Sequence, residues 1–378
     1  MKKVFLLFFF LPVSLICQEK KEVLFIGNSY TYGNNLPEIL KQIALSFGDT
    51  LIHASSTPGG ATLNMHANNP QTYTMMNQSQ WDYVVLQAQS QEPSFSPGQV
   101  TNDTYPYAEI LVDSIEQIFS CTEPLFFMTW GRKYGDQQNC QFYPPICTYA
   151  GMQQRLRESY LEMSFDNNAS CAPVGMAWKK SIELDSTLNL YTSDNSHPNV
   201  YGSYLAACTF YSSIFKKSTV GSSYWPAIID SVTAMSLQQI ASSTVLDSLS
   251  VWNIFNADFD FIQSNEVVNF SNLSSNYESV LWDFGDGNTS FDENPQHTYT
   301  SSGTFAVELY AFTNDGCLVD TITTEIVVNL STSIESLNQD ERLLKIVDVL
   351  GRDSHIKKNS ILYYLFNNSK VEKKVVVE

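Results

Sequence analysis

Between residue 22 and about residue 215, short apolar runs alternate with longer amphipathic segments. The runs have the length and the β-branched and aromatic content of strands, and the longer segments repeat apolar residues at helical spacing. This order predicts a parallel sheet whose strands are joined by crossover helices. We expect strands at 23–26, 50–55, 83–87, 125–129 and 173–177, and helices at 36–47, 105–119, 149–165, 200–215 and about 225–242.

After residue 253 the pattern changes to alternating residues and turns, with few helix formers. The alternation predicts a β-sandwich of roughly 75 residues. In Trp282-Asp-Phe-Gly-Asp-Gly287 a strand ends in a tight turn, where glycine permits a positive φ. The strands of the sandwich are expected at 267–270, 279–284, 304–310 and 321–328, and further β-runs at 344–352, 361–366 and 370–378.

Length and charge limit the kinds of protein this chain can be. With 378 residues it is long enough for two or three domains, each with its own core. The first 17 residues combine two lysines with an apolar run, as an export signal does, and no later segment is apolar for about 18 residues. No transmembrane segment is therefore expected in the mature chain. The formal charge of −18 disfavours nucleic-acid binding.

These patterns divide the chain into four predicted parts. They are a signal peptide at 1–17, an α/β domain at 18–253, a β-sandwich at 254–330 and a small β domain at 331–378. An export signal places the mature protein outside the cytoplasm, either secreted or on the outer cell surface.

Six of the seven cysteines remain once Cys17 is removed with the signal, and exported proteins can keep disulfides. Cys140 and Cys147 flank a loop with two prolines, which predicts a local bridge. Cys121 and Cys171 each precede a strand-like run, and they could pair if those strands were parallel neighbours. Because no Cys-x-x-Cys pair is present and histidine is scarce, neither a metal site nor a cofactor is expected.

A serine and an Asp-x-x-His motif lie at positions that suit nucleophilic catalysis. Ser29 follows the first predicted strand, so the sheet should present it at its carboxyl edge. A serine hydroxyl needs a base to take its proton. His197 is the candidate base, and Asp194 is close enough in the same loop to orient its ring. An ordinary turn at His197-Pro198 is the alternative.

Acyl transfer also needs hydrogen-bond donors for the oxyanion. The segment Thr57-Pro-Gly-Gly-Ala-Thr62 follows the second strand, and Gly60 is its favoured donor. The third strand ends near Gln87 and Gln89, whose carboxamides could reach the same oxygen, and the N–H of Ser29 would be a further donor. The alternatives are a plain turn at Gly60 and solvated side chains at the two glutamines.

The order of these features resembles that of the SGNH or GDSL-like hydrolases, over roughly residues 22–250. The resemblance implies a three-layer α/β/α fold and a serine esterase or lipase mechanism. It makes Ser29, Asp194 and His197 the triad. Two positions depart from the family pattern, because Asn28 replaces the commoner aspartate before the serine and Gln89 replaces an asparagine.

The resemblance implies that the oxyanion donors are Ser29, Gly60 and Gln89. Gln87 is the reserve candidate for the position of Gln89. Trp130 follows the fourth strand at the same edge, where it could stack on a sugar ring in a substrate cleft. Arg132 could line the same cleft. A packed aromatic is the alternative for Trp130, and a structural role is expected for His66.

The segment 254–330 resembles a PKD domain, an immunoglobulin-like module. The resemblance rests on Trp282-Asp-Phe-Gly-Asp-Gly287, Pro295-Gln-His-Thr-Tyr299 and Gly303-Thr-Phe305. Such modules are usually spacers or weak contacts to carbohydrate or protein. Asp283 and Asp286 are expected to be turn residues and not a calcium site.

The C-terminal run that ends in Asp348-Val-Leu-Gly-Arg352, with the two β-runs after it, resembles a sorting domain of the type IX secretion system. It implies the type IX secretion machinery as a partner and a source among the Bacteroidetes. A small independent β unit is the alternative.

The sequence as a whole predicts an exported serine esterase that works through an acyl-enzyme. Its expected substrate is a carboxylic ester, such as an O-acetyl group on a polysaccharide. The alternatives are a non-catalytic carbohydrate-binding or adhesion protein and a lipase or phospholipase of the same fold.

Overall fold

The computed structural model describes residues 18–313, 317, 319–330, 342–356, 360–367 and 369–376. The predicted signal peptide and most of the segment joining the last two domains lie outside these residues. The chain divides into two compact units, one of 1–263, 268–297 and 304–326 and one of 264–267, 298–303 and 327–378. Among the described residues, no helix has both the length and the apolar composition required to cross a bilayer.

A five-stranded parallel sheet forms the centre of the α/β domain. In its first strand the residues Val23 to Ile26 are apolar and fully buried, so this part of the strand is covered on both faces. The strand order is β2-β1-β3-β4-β5, so the direction of winding changes between β1 and β3. Ligands bind at such a switch point in open α/β sheets. The strands are β1 (Lys20–Ile26), β2 (Thr50–Ser56), β3 (Tyr83–Leu86), β4 (Glu123–Phe127) and β5 (Ser170–Ala172).

Helices cover both faces of this sheet. Val23 and Phe25 of β1 pack into one apolar cluster, and Leu24 and Ile26 pack into another on the opposite face. The three-layer α/β/α fold is therefore confirmed. The helices are α1 (Ser29–Tyr32), α2 (Leu36–Ser46), α3 (Leu63–Ala67), α4 (Pro70–Met76), α5 (Pro97–Asp103), α6 (Tyr105–Ile118), α7 (Tyr149–Asp166), α8 (Val174–Leu184), α9 (Val200–Phe215) and α10 (Ser231–Leu246).

The prediction of a strand at 173–177 is wrong, because β5 ends at Ala172 and α8 begins at Val174. Val174, Ala177 and Trp178 are fully buried, which is the spacing of one helix face. A run of five mostly apolar residues is too short for its periodicity to separate a strand from a buried helix.

The second domain is built from two antiparallel sheets. Trp282 is fully buried between them and contacts the rings of Phe259 and Phe270. Gly285 and Gly287 have φ values of +74° and +92°, which confirms the predicted tight turn. The strands are β6 (Phe259–Ser264), β7 (Val267–Asn272), β8 (Ser279–Asp283), β9 (Thr289–Ser290), β10 (Gln296–Thr298), β11 (Gly303–Phe312) and β12 (Val319–Val328), in the orders β10-β7-β6 and β12-β11-β8-β9.

The carboxylates of this turn serve the turn itself. Asp283 accepts a hydrogen bond from the N–H of Gly285, and Asp286 accepts one from Asn288 and one from the His297 ring. The predicted role as turn residues is what the structure shows. The C-terminal unit is a separate antiparallel sheet of β13 (Leu343–Val347), β14 (Ser360–Phe366) and β15 (Val371–Val376).

Four of the cysteines that the structure describes form two disulfides. Cys140 is bonded to Cys147, across the loop that contains the two prolines. The expected pairing of Cys121 with Cys171 is wrong, because Cys121 is bonded to Cys317 in the second domain. The prediction placed Cys171 before a strand, but it lies within β5, where it pairs in register with Phe126. Its side chain is fully buried, and its thiol is free.

Candidate active site

Ser29 is the first residue of α1 and follows the end of β1 after the two-residue turn Gly27-Asn28. Asn28 holds this turn, since its side chain accepts a hydrogen bond from the N–H of Tyr30 at 3.1 Å and donates one to the carbonyl of Ala61 at 2.9 Å. The asparagine at position 28 therefore serves as the N-cap of α1. The bond to Ala61 also brings the loop that contains Gly60 next to the serine.

Ser29, His197 and Asp194 form one continuous chain of hydrogen bonds. The hydroxyl of Ser29 lies 2.9 Å from Nε2 of His197, and Nδ1 of His197 lies 2.5 Å from Oδ2 of Asp194. The other carboxylate oxygen of Asp194 accepts the N–H groups of Ser196 and His197, each at 2.9 Å. The three residues that the sequence singled out thus meet in space.

The protonation states follow from these bonds. Partial burial opposes ionisation of Asp194, but hydrogen bonds from the His197 ring and the Ser196 N–H hold the pKa of this carboxyl well below its usual range. An ionised carboxylate can only accept, so Nδ1 of His197 must carry the proton. In the neutral ring, Nε2 is then an acceptor for the Ser29 hydroxyl, as a general base requires.

The base and its orienting acid are open to solvent. The side chains of His197 and Asp194 are 43% and 48% exposed. Tyr32 lies one helical turn beyond Ser29, is 52% exposed, and its hydroxyl lies 3.6 Å from where a Cβ of Gly59 would be. An exposed aromatic ring therefore stands between the nucleophile helix and the Gly59-Gly60 turn.

The backbone N–H groups of Ser29 and Gly60 have no hydrogen-bond acceptor among the described residues. Gly60 has a φ of +70°, a conformation that glycine adopts at little cost. Gln89 is half-buried, and its carbonyl oxygen accepts the N–H of Gln91 at 2.7 Å. Its amide nitrogen Nε2 donates one long hydrogen bond of 3.5 Å to the side-chain oxygen of Gln91. The second hydrogen of this amide can be donated to another group.

Gln87 has a different place from the one expected. It is fully buried, and its carbonyl oxygen accepts the N–H of Asn28 and the hydroxyl of Thr31, both at 2.9 Å. Its amide donates to Asn28 Oδ1 and to the carbonyl of Ala88. All of its polar groups are used to support the turn before Ser29, so Gln87 is not placed to contact substrate.

Trp130 is also not a substrate-facing residue, contrary to the expectation. It is fully buried, and its indole stacks between the rings of Tyr30 at 4.6 Å and Trp178 at 4.0 Å. The alternative of a packed aromatic is the correct one. Arg132 keeps some exposure and lies 3.5 Å from the buried carboxylate of Asp136, which also accepts a hydrogen bond from Gln91.

His66 has a structural place, as expected. Its Nε2 donates to the carbonyl of Gly27 at 2.8 Å, and its Nδ1 lies 3.2 Å from the hydroxyl of Thr72. Burial lowers the pKa of His66, which keeps the ring neutral. Within the described ranges, no group of three or more His, Cys, Asp or Glu side chains could hold a metal ion.

Two residues of the site have no counterpart in the sequence motifs. Tyr30 and Ser196 join their hydroxyls at 2.6 Å, 166 residues apart in sequence. Tyr30 is adjacent to Ser29, and Ser196 lies inside the Asp-x-x-His motif, so only this adjacency in sequence could have pointed to them.

Comparison with known proteins agrees with this architecture. Residues 256–328 match the family model of the PKD domain. The second domain is a PKD domain. The isolated PKD1 domain of the Vibrio cholerae metalloprotease PrtV is 34% identical over 20% of this chain and 96% of that structure, with a TM-score of 0.19. A microbial collagenase of Vibrio alginolyticus is 42% identical over 62 residues, which span 16% of this chain and only 8% of the collagenase.

The α/β domain, which precedes the PKD domain, shares its three-layer fold with a solved structure. A DUF4886 family protein of Bacteroides uniformis matches with a TM-score of 0.52 and 18% identity, over 60% of this chain and 95% of that one. A candidate SGNH hydrolase of Slackia heliotrinireducens matches with a TM-score of 0.43 and 24% identity, over 51% of this chain and 97% of that one. The match to the DUF4886 family protein shows the fold alone, and the activity has to be argued from the site.

Proposed function

We propose that this protein is an exported serine esterase that removes short acyl groups, such as O-acetyl groups, from carbohydrate. The observation that carries the proposal is the hydrogen-bonded chain Ser29–His197–Asp194 at the carboxyl edge of the sheet. It lies beside the switch point of the strand order, where this fold class binds ligands. A structural role alone would not require an imidazole held in the tautomer that can accept a serine proton.

The reaction follows from this geometry. Nε2 of His197 takes the proton of the Ser29 hydroxyl as Oγ attacks the ester carbonyl, and the positive ring is stabilised by Asp194. The N–H groups of Ser29 and Gly60 and the amide of Gln89 are the proposed donors to the oxyanion. His197 then gives its proton to the leaving alcohol, and the acyl group remains on Ser29. Water, deprotonated by His197, releases the acid and restores the serine.

Two features favour an acyl group on carbohydrate. The base and its orienting acid are exposed, which suits a substituent on a large substrate. The ring of Tyr32 beside the Gly59-Gly60 turn replaces the buried Trp130 as the candidate surface for a sugar. The PKD domain would act as a spacer or as a weak contact to the same carbohydrate.

Export is supported by the two disulfides, Cys140–Cys147 and Cys121–Cys317, which persist in oxidising compartments. We propose that the C-terminal sheet serves as the sorting domain for the type IX secretion machinery. The predicted signal peptide belongs to the same proposal.

The deciding experiment compares the mature protein with its Ser29→Ala variant on p-nitrophenyl acetate. We expect the variant to lose nearly all activity and to keep the thermal stability of the parent protein. Equal rates would overturn the enzyme assignment and favour a non-catalytic binding protein. A series of p-nitrophenyl esters with longer chains separates an acetyl esterase from a lipase, because only the lipase should prefer the longer chains.

A further inference from the structure

The loop that carries the proposed base is held by aromatic residues from outside the triad. Ser196, which lies between Asp194 and His197, shares a hydrogen bond of 2.6 Å with the hydroxyl of Tyr30. Its carbonyl accepts a hydrogen bond from the indole N–H of Trp130 at 3.0 Å. Both polar groups of Ser196 that the triad does not use are therefore fixed by buried rings.

These rings are themselves rigid. Tyr30 and Trp130 are at most 2% exposed, their rings are nearly parallel at an angle of 4°, and Trp130 stacks in turn on Trp178 at 3°. Side chains packed in this way keep one rotamer. Burial raises the pKa of Tyr30, so its hydroxyl stays protonated and can donate.

The edge of the Tyr30 ring also meets the catalytic imidazole. The ring centroids of Tyr30 and His197 are 5.3 Å apart at an angle of 72°. Tyr30 is the next residue after the nucleophile Ser29 in the chain. It also contacts both Ser196 and the base His197. The side chain of His197 is 43% exposed. Contacts with residues of its own loop therefore do not enclose the ring.

We propose that Tyr30 and Trp130 are positioning residues, which set the distance from the Ser29 hydroxyl to His197 by holding Ser196. This inference rests on the proposed function, since it concerns the same site. It departs from the sequence-based role of Trp130, because the indole acts on the base loop and not on the substrate. A small displacement of a base from its nucleophile reduces the rate strongly, and this is the step that the two rings would control.

Tyr30→Phe is the sharpest test, because it keeps the stacked ring and removes only the hydroxyl. Ser196→Ala removes the other half of the same bond, and Tyr83→Phe is the matched control. Tyr83 donates one hydrogen bond to the carbonyl of Ile214 and lies at the start of β3, at the edge of the sheet opposite Ser29.

We expect Tyr30→Phe and Ser196→Ala each to lower kcat on p-nitrophenyl acetate by roughly 5- to 30-fold, with KM nearly unchanged. The double variant should be no slower than the single ones, because both remove one interaction. Tyr83→Phe should keep the parent kcat.

Hydrogen exchange of the Ser196 and His197 amides provides a readout that does not depend on activity. Both amides donate to Asp194, and they should exchange faster in Tyr30→Phe than in Tyr83→Phe. A Tyr30→Phe protein with the kcat and the exchange rates of the control would overturn the inference. If the parent protein shows no Ser29-dependent hydrolysis, the proposed function fails, and the exchange rates alone decide whether Tyr30 holds the loop.

Discussion

The hydroxyl of Ser29 lies 2.9 Å from Nε2 of His197, although 168 residues separate them in the chain. Ser29 is placed by β1, beside the switch point between β1 and β3, and His197 is placed by the loop before α9. α9 packs in the same apolar cluster as β1 and α2, and this packing brings the loop to the serine. The contact is therefore a product of the core and not of any local segment.

Replacing Asp194 by asparagine should lower kcat/KM by about 10²- to 10⁴-fold, because the amide no longer holds the proton on Nδ1 of His197. Steady-state rates on p-nitrophenyl acetate measure this. Asp247→Asn, an exposed position on the C-terminal side of α10, is the control and should change nothing. Full activity in Asp194→Asn would exclude the proposed role.

Asp194 should also make stability depend on pH in acid. Its folded pKa lies below the unfolded one, so its contribution is present above the unfolded pKa of about 4 and is lost as the pH falls through the folded pKa. The difference in melting temperature between the parent and Asp194→Asn should shrink as the pH falls below 4.

The two glutamines after β3 should respond differently to substitution. Gln89→Ala is expected to lower kcat by about 10²- to 10³-fold through the loss of an oxyanion donor, with little change in stability. Gln87→Leu leaves the N–H of Asn28 and the hydroxyl of Thr31 without their acceptor, at a cost of about 1–3 kcal/mol for each buried group. Urea unfolding and kcat separate the two effects. Unchanged stability in Gln87→Leu would contradict the support role.

Tyr32→Ala should raise KM for an acetylated polysaccharide by roughly 5- to 30-fold, because a stacking surface for the sugar is removed. KM for p-nitrophenyl acetate, which has no sugar ring, should change much less. Released acetate gives the rates. Phe291→Ala removes a ring of the PKD domain that is 77% exposed, and it controls for a loss of exposed aromatic surface. Equal changes in KM for both substrates would remove Tyr32 from the sugar-binding role.

Burial raises the pKa of Glu123 to about 7, against hydrogen bonding from Ser170. A carboxyl whose folded pKa is raised favours the folded state when protonated, so stability should fall as the pH rises from about 4.5 to about 7 and then level off. Glu123→Gln should abolish this decline and raise the free energy of unfolding by about 3 kcal/mol at pH 8. Chemical unfolding across this pH range tests it, with the exposed Glu109→Gln as control. If the parent protein and Glu123→Gln had the same dependence of stability on pH, Glu123 would be ionised in the folded protein.

Cys317→Ser should lower stability by about 2–5 kcal/mol, because the bond to Cys121 closes a loop of 196 residues. Activity on p-nitrophenyl acetate should be unchanged. Cys121 precedes β4, whereas Ser29 follows β1, so the disulfide lies at the opposite edge of the parallel sheet. A large loss of kcat at equal folded fraction would contradict this separation.

Strong periodicity and turn chemistry made much of the fold predictable. α9 runs from Val200 to Phe215 as predicted, and its start is marked by Asn199, whose side chain caps the helix. The two glycines after Trp282 made the turn predictable, because glycine takes a positive φ more readily than other residues do. The strand predicted at 173–177 was wrong, because a run of five mostly apolar residues is too short for its periodicity to separate a helix from a strand.

The candidate site was predictable only in part. Ser29 and the Asp194–His197 pair were visible as motifs, since each needs a fixed residue type at a fixed place relative to a strand or a helix. The different places of Gln87 and Gln89 were not visible. They are two residues apart, and only the packing around Asn28 decides which side chain is enclosed and which is left to donate.

The sequence by itself determined most of the longer helices and strands, the order of the site residues and the turn of the PKD domain, because these depend on local spacing and backbone preference. The tertiary structure alone decided that Cys121 bonds to Cys317, that Trp130 is enclosed, and that Tyr30 reaches Ser196. Such contacts join residues far apart in the chain. Their geometry is set by how the layers pack, and no spacing along the sequence encodes that packing directly.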